Sequence, residues 1–223
     1  MKNRVALWWL RQRSFHVSTD WLDRALEDSR SRGFLGPGPI GPQIAHARGF
    51  ALCWEQIRDV PPSEFLDLGS GGGLPGLVLL DRWACRGVLL DSMLKRTRFL
   101  EEVRQWPDAP THIEVITARA EDVAREPTLD GAFDLVTARS FGPPSVVAEC
   151  AVRFLKIGGL MVVSEPPDDS DVIRWSVKGL ATLGLEDRGR VRHEAAFRVL
   201  IKTRSTDKKY PREVGMPKKR PLF

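Results

Sequence analysis

The sequence predicts an α/β protein with a mostly parallel sheet and helices on both of its faces. Short apolar segments of strand length alternate with segments long enough to form helices. Between the first strand segment and the next helix lie Gly71, Gly73 and Gly76, which have the G-x-G-x-x-G spacing of doubly wound folds. A chain of 223 residues with 42% hydrophobic residues can bury one substantial core, so we expect one domain with terminal extensions.

Six segments are predicted to be strands. Five of them are apolar and are expected to run parallel, whereas the sixth alternates apolar and polar residues, which predicts an antiparallel strand at the edge of the sheet. In chain order they are residues 64–69, 87–91, 113–117, 134–138, 160–165 and 197–202. Phe99, Val103 and Trp106 recur at helical spacing and predict a helix between the second and third strands.

The segment ahead of the first strand is predicted to be partly helical. Asp20 is expected to cap a helix that ends at Gly33. Residues 33–43 contain too many glycines and prolines to lie inside a helix or strand. Residues 1–15 imitate a signal peptide, but their apolar run is only six residues long and an arginine-rich segment follows it, which favours a short amphipathic helix.

Composition limits the possible cofactors and compartments. The three cysteines include no C-x-x-C pair and the four histidines are scattered, so the sequence offers neither a disulfide framework nor zinc-ligand spacing. Beyond residue 15, no uncharged run is long enough to cross a bilayer. We therefore expect a cytoplasmic protein with no metal and no membrane partner.

The glycine-rich turn is expected to lie beneath a ligand, because doubly wound sheets bind their ligands at the carboxyl ends of the strands. A P-loop is excluded, since no Gly-Lys-Ser/Thr sequence follows the glycines. Asp67 would repel a pyrophosphate at the helix N-terminus, whereas its carboxylate would favour the sulfonium and ammonium groups of S-adenosylmethionine. A structural role for Asp67, in which it bonds the amides of the turn, is the alternative.

Asp91 supports a nucleoside ligand. It ends the second strand, 22 residues after Gly69, where a carboxylate can accept hydrogen bonds from two ribose hydroxyls. The alternative is that Asp91 only caps the helix that follows.

Basic residues are concentrated at the C-terminus. From Lys202 to Phe223 there are eight basic and two acidic residues, although the whole chain has a net charge of only +5. Three prolines and the only tyrosine of the sequence, Tyr210, accompany the charges. Two interpretations are equally favoured: a frayed terminus, and an arm that contacts the phosphates of a polyanion, on which clustered Lys and Arg gain from counterion release.

Five blocks of the sequence resemble the RsmG/GidB family, the bacterial 16S ribosomal RNA guanine-N7 methyltransferases. The blocks are DLGSGGGLPG, LLDSMLKRTRFLEEV, ARAED, FDLVTARSF and KTRSTDKKYPREVGMPKKRPL. The resemblance implies a class I methyltransferase fold with sheet order 3-2-1-4-5-7-6, S-adenosylmethionine as cofactor, and small-subunit ribosomal RNA or the small ribosomal subunit as partner. We expect an N-terminal helical extension (1–59), a catalytic domain (60–203) and a basic tail (204–223).

The residue chemistry and the resemblance together indicate which residues contact the cofactor and the RNA. The expected cofactor contacts are Asp67, Gly69, Gly71, Gly73, Leu74, Asp91, Ala120, Glu121 and Arg139. Arg139 is equally a candidate for an RNA phosphate, because its guanidinium fork suits carboxylate and phosphate alike; a surface arginine satisfied by solvent is the alternative. The other RNA-binding candidates are Lys208, Lys209, Lys218, Lys219 and Arg220.

The chemistry implied by the resemblance needs no catalytic side chain. Guanine N7 carries a lone pair and no proton, so its methylation requires no general base and is expected to rest on proximity and orientation. Cys150 is expected to be a helical core residue, which disfavours a cysteine adduct. Two alternatives remain: a class I methyltransferase that acts on another RNA or a small molecule, and a ribosome assembly factor that binds the cofactor without turnover.

Overall fold

The computed structural model describes residues 20–167 and 174–223. The helices are α1 (Asp20–Ser31), α2 (Ile40–Glu55), α3 (Gly76–Arg82), α4 (Leu94–Arg104), α5 (Ala120–Val123), α6 (Pro144–Ala151), α7 (Val177–Leu183) and α8 (Met216–Lys219). The strands are β1 (Glu64–Leu68), β2 (Arg86–Asp91), β3 (Ile113–Thr117), β4 (Phe133–Ala138), β5 (Leu155–Glu165), β6 (Leu185–Arg192) and β7 (Ala196–Lys202). The short helix predicted within residues 1–15 lies outside the described residues.

The described strands form one sheet in the order β3-β2-β1-β4-β5-β7-β6. The first five strands of the chain pair in parallel, and β7 runs antiparallel to both β5 and β6. This order confirms the predicted mostly parallel α/β sheet and the strand order that the family resemblance implies. No helix of the described residues is both long and apolar enough to span a bilayer.

One strand was missed in the sequence, and a second was misplaced. Residues 197–202 do form an antiparallel strand, but their predicted position at the edge is wrong because β6 pairs with their outer side. Strand β6 has the sequence LEDRGRVR, in which charged side chains occupy most positions and hide the apolar alternation. Its pairing register also shifts between Asp187 and Gly189, whose φ of 101° is unusual for a regular strand.

Helix α2 belongs to the hydrophobic core on one face of the sheet. Its buried Phe50 and Trp54 lie in the same cluster as Phe65 of β1 and Phe197 of β7. The helix begins at Ile40, so the predicted loop over residues 33–43 extends too far. Gly41 and Pro42, the last glycine and proline of the predicted loop, fall in the first turn of this helix. The backbone N–H groups there have no intrahelical partners, so proline is tolerated.

Residues 204–223 form a C-terminal strap that is anchored to the helices α5 and α6. The guanidinium of Arg125 donates hydrogen bonds to the carbonyl oxygens of Lys208, Lys209 and Pro211. Tyr210 is only 6% exposed. The interpretation of this segment as a frayed terminus is therefore wrong.

The five cations predicted to bind RNA remain exposed on the strap. They are Lys208, Lys209, Lys218, Lys219 and Arg220. Lys202 differs from them, because it ends β7 and is buried, and its ammonium donates a 2.7 Å hydrogen bond to the carbonyl oxygen of Leu155. Burial lowers the pKa of Lys202. Only part of the C-terminal charge is thus available to a polyanion.

Candidate active site

A cavity of about 300 Å³ lies at the carboxyl ends of β1, β2 and β3. Four of the predicted cofactor contacts line it: Gly69 follows β1, Asp91 ends β2, and Ala120 and Glu121 begin α5 after β3. This is the edge of the sheet at which doubly wound folds bind their ligands.

Gly69 turns the chain at the end of β1 and exposes its backbone to the cavity. Its φ is 75°, and its amide donates a 2.8 Å hydrogen bond to the carbonyl oxygen of Leu90 in the neighbouring strand. A Cβ atom at this position would lie 2.7 Å from the ring of Phe141. Glycine is therefore required both by the backbone conformation and by the close approach of this ring.

Asp91 connects the glycine-rich turn to the second strand. Its Oδ2 accepts a 2.9 Å hydrogen bond from the amide of Gly71, and its Oδ1 accepts a 2.8 Å bond from the amide of Met93. The guanidinium of Arg96 lies 3.5 Å from Oδ2. Each carboxylate oxygen has a second lone pair, so Asp91 can stabilise these turns and still accept hydrogen bonds from ribose hydroxyls.

Asp67 lies beneath the glycine-rich turn and not on the cavity wall. It is 1% exposed, and its carboxylate accepts hydrogen bonds of 2.9 Å from the amide of Gly76 and from the hydroxyl of Thr137. Burial raises the pKa of Asp67 to about 6. These bonds match the structural alternative, in which Asp67 fixes the start of α3. A contact between Asp67 and the cations of the cofactor stays a prediction.

The other glycine-turn residues are also set back from the cavity wall. Gly71 contributes its amide to Asp91. Gly73 has a φ of 101°, and a Cβ there would lie 2.5 Å from the side chain of Leu77. Leu74 is 5% exposed and belongs to the hydrophobic core. The predicted cofactor contacts of these three residues are untested by this geometry.

Arg139 follows β4 and is half-buried, away from the cavity wall. Burial lowers the pKa of Arg139, and the negative charge of Asp67 partly offsets that effect. Burial, assisted by the positive charge of Arg139, lowers the pKa of His46 to about 4. His46 is therefore neutral near pH 7, and its ring meets Phe197 edge-on with centroids 5.5 Å apart. The predicted contacts of Arg139 with cofactor or RNA stay predictions.

Several residues of the cavity wall were missed in the sequence, among them Arg96, Ser140 and Phe141. Ser140 has a φ of 56°, which makes it the one residue other than glycine with a positive φ among residues 20–167 and 174–223. It thereby turns the chain directly after β4. The available signal was position, since Ser140 and Phe141 follow a strand that ends at the ligand-binding edge.

Helix α6 supplies the apolar side of the cavity through Val146 and Cys150. Cys150 is 1% exposed, which confirms its predicted place in the core. Burial and the charges of Glu121 and Glu149 raise the pKa of the Cys150 thiol far above its usual range, so the thiol stays protonated and is a poor nucleophile. In the part of the chain that the structure describes, no group of three His, Cys, Asp or Glu side chains could hold a metal.

The C-terminal strap completes the cavity. The amide of Gly215 donates a 3.1 Å hydrogen bond to the carboxylate of Glu121, and both Gly215 and Lys218 line the cavity. Two distant parts of the chain, the start of α5 and the strap, are thus joined at the site.

These features fit S-adenosylmethionine. Asp91 suits the ribose hydroxyls, the apolar side formed by Ala120, Val146 and Cys150 suits the adenine ring, and the bare backbone at Gly69 admits the methionine portion. When bound, this cofactor supplies an electrophilic methyl group on its sulfonium. The sheet order and the site together define a class I S-adenosylmethionine-dependent methyltransferase.

Comparison with known proteins specifies the family. Residues 50–178 match the GidB family, described as rRNA small subunit methyltransferase G. The Ribosomal RNA small subunit methyltransferase G of Leuconostoc mesenteroides is 33% identical over 180 residues, which cover 76% of this chain and 73% of that protein. The protein of the same name from Symbiobacterium thermophilum is 35% identical over 198 residues, which cover 80% and 78%. The chain belongs to the rRNA small subunit methyltransferase G family.

A solved structure supports the fold independently. The cofactor-bound structure of Rv0187 from MTB matches with a TM-score of 0.57 and 19% identity, and the match covers 91% of this chain and 98% of that one. At this level of identity the likeness concerns the fold.

Proposed function

We propose that this protein transfers the methyl group of S-adenosylmethionine to N7 of a guanine in the 16S ribosomal RNA of the small subunit. The observation that carries the proposal is the position of the cofactor cavity directly beside an exposed basic strap, with Lys218 belonging to both. Family membership supports the same substrate.

Two titratable groups near the site, Asp67 and His46, are not placed to take a proton from a substrate, which suits a nucleophile that has no proton to lose. Asp67 is buried and bonded to Thr137 and Gly76, so it is not placed to act as a base towards a substrate. His46 is neutral but packs against phenylalanine rings. Guanine N7 attacks through its lone pair, and the reaction needs only alignment of that nitrogen with the sulfonium methyl group. The phosphates of the surrounding RNA stabilise the positive charge that forms on the base.

The RNA is held by electrostatic contacts in this proposal. Exposed Lys and Arg side chains of the strap contact phosphates, and Arg139, after β4, pairs with a phosphate or with the carboxylate of the cofactor. A ribosomal substrate places the protein in the cytoplasm, where small subunits are assembled, without a membrane or metal partner.

Transfer of a labelled methyl group tests the proposal. Purified protein is incubated with methyl-labelled S-adenosylmethionine and with either naked 16S RNA or small subunits that lack this modification. We expect label in the RNA of at least one preparation, and much less label with the Asp91→Ala variant at a limiting concentration of S-adenosylmethionine. Label in another RNA class or only in small molecules would favour a class I methyltransferase that acts on another RNA or on a small molecule. Cofactor binding without any label would favour an assembly factor.

A further inference from the structure

The C-terminal strap forms one wall of the cofactor cavity, although its charge alone indicates only RNA. The strap is held in place at several points: the guanidinium of Arg212 bonds the carboxylate of Glu149 at 2.8 and 2.6 Å, and the amide of Leu222 donates a 2.9 Å bond to the hydroxyl of Ser145. These contacts hold α8, which contains the cavity-lining Lys218, beside Glu121.

Two neighbouring lysines of α8 have different surroundings. Lys218 and Lys219 are both exposed, yet Lys218 lines the cavity and Lys219 does not. Lys218 forms no ion pair with any carboxylate of residues 20–167 and 174–223, so its ammonium has hydrogen bonds to donate. A ligand in the cavity would therefore meet an uncompensated cation on this side.

The position of the strap indicates which end of the cofactor Lys218 meets. Gly215 bonds Glu121 at the start of α5, after β3, whereas Gly69 lies at the other end of the cavity, after β1. With the ribose at Asp91, the adenine extends towards Glu121 and the methionine portion towards Gly69. An ammonium donates hydrogen bonds only, and the ring nitrogens of adenine accept them, so Lys218 suits the adenine end of the cofactor that lies beside Glu121.

We propose that Lys218 is a cofactor-binding residue that donates a hydrogen bond to a ring nitrogen of the adenine, so the basic strap serves the cofactor as well as the RNA. This inference rests on the proposed methyltransferase function. It departs from the sequence-based expectation that the strap cations serve RNA alone.

A matched pair of variants, Lys218→Met and Lys219→Met, tests the proposal. Each removes one exposed charge from the same short helix, so unspecific electrostatic effects are equal. We expect Lys218→Met to weaken binding of S-adenosylhomocysteine by about ten-fold, the effect of one charged hydrogen bond, and Lys219→Met to leave it within about two-fold of wild type. Calorimetry measures the first ligand, and adenosine is measured by competition with it.

Adenosine separates the two ends of the cofactor. Adenosine retains the adenine and lacks the methionine portion. We therefore expect Lys218→Met to weaken the binding of adenosine by the same factor. Equal affinities of the two variants for S-adenosylhomocysteine would overturn the proposal, and so would a loss confined to the methionine-containing ligand. The wild-type protein is assayed in parallel for methyl transfer to RNA. Failure of that transfer would reject the proposed function while leaving the difference between the lysine variants measurable.

Discussion

Glu149 of α6 and Arg212 of the strap form a buried ion pair that ties the C-terminus to the core. The Glu149 side chain has no solvent exposure, and it accepts hydrogen bonds from both the guanidinium and the backbone amide of Arg212. The strap carries two residues of the cavity wall, Gly215 and Lys218, so we expect loss of this pair to disturb the cofactor site as well.

Arg212→Leu is expected to lower the free energy of unfolding by about 3 kcal/mol, because it leaves the Glu149 charge buried without a partner. Urea denaturation measures the change. The double variant Glu149→Gln/Arg212→Leu is the control, since the glutamine amide carries no charge but can still accept the bond from the backbone amide. We expect the control to recover most of the loss. An Arg212→Leu variant as stable as wild type would contradict the structural role of the pair.

Asp91→Ala is expected to weaken S-adenosylmethionine binding by about 1.5 to 3 kcal/mol, because the variant loses the acceptor for the ribose hydroxyls. Calorimetry with S-adenosylmethionine, S-adenosylhomocysteine and NAD measures it, and NAD is expected not to bind. Asp122→Ala removes an exposed carboxylate near the same edge and serves as the control with unchanged affinity. Tight binding of NAD, or an unaffected Asp91→Ala variant, would be incompatible with the cofactor assignment.

The parts of the site that the sequence predicted well are local in the chain. Gly69 and Asp91 end two parallel strands, and parallel strands bring their carboxyl ends to one edge, so their meeting at the cavity follows from the strand pattern. The burial of Leu74 was not foreseen, because its neighbours in the core come from other helices and cannot be read from the turn itself.

The parts that were not predicted depend on contacts between distant segments. The hydrogen bond between Gly215 and Glu121 joins residues 94 positions apart, and no local sequence pattern predicts it. Strand β6 was missed for a related reason: it exposes charged side chains and is defined mainly by pairing with β7. The strap is basic and contains prolines, a composition that is also typical of a loose tail. Only its contacts with distant residues such as Glu149 show that it is folded.

The depressed pKa of His46 predicts a pH effect on stability. The folded protein holds His46 neutral down to about pH 4, whereas histidine in an unfolded chain takes up a proton near pH 6.5. The stabilisation that the buried, neutral ring of His46 gives to the folded state is therefore fully present above pH 6.5. It is lost as the pH falls towards 4, because the unfolded chain takes up the proton first. Denaturation of wild type and His46→Gln across this range measures the effect. We expect the free energy of unfolding of wild type to fall relative to that of the variant as the pH is lowered. A difference independent of pH would refute the assignment.

The double variant Lys219→Met/Arg220→Met is expected to weaken RNA binding at low salt. Loss of two phosphate contacts should reduce the slope of log affinity against log salt concentration by roughly one and a half units. Binding of a 16S RNA fragment across a salt series measures the slope. Lys156→Met, near the start of β5, is the control because its ammonium is already paired with the carboxylate of Asp134, and it should leave the slope unchanged. An unchanged slope in the double variant would remove the RNA role of these two side chains.

Chemical mapping of the methylated atom tests the central claim most directly. Small-subunit RNA that lacks the modification is treated with the protein and S-adenosylmethionine, reduced with borohydride and exposed to aniline, which cleaves the chain at N7-methylated guanine. The account predicts cleavage at a guanine of 16S RNA with wild-type protein, and none when either the protein or S-adenosylmethionine is left out. Incorporation of the methyl label into this RNA without any cleavage at guanine would place the methyl group on another atom and contradict the proposed reaction.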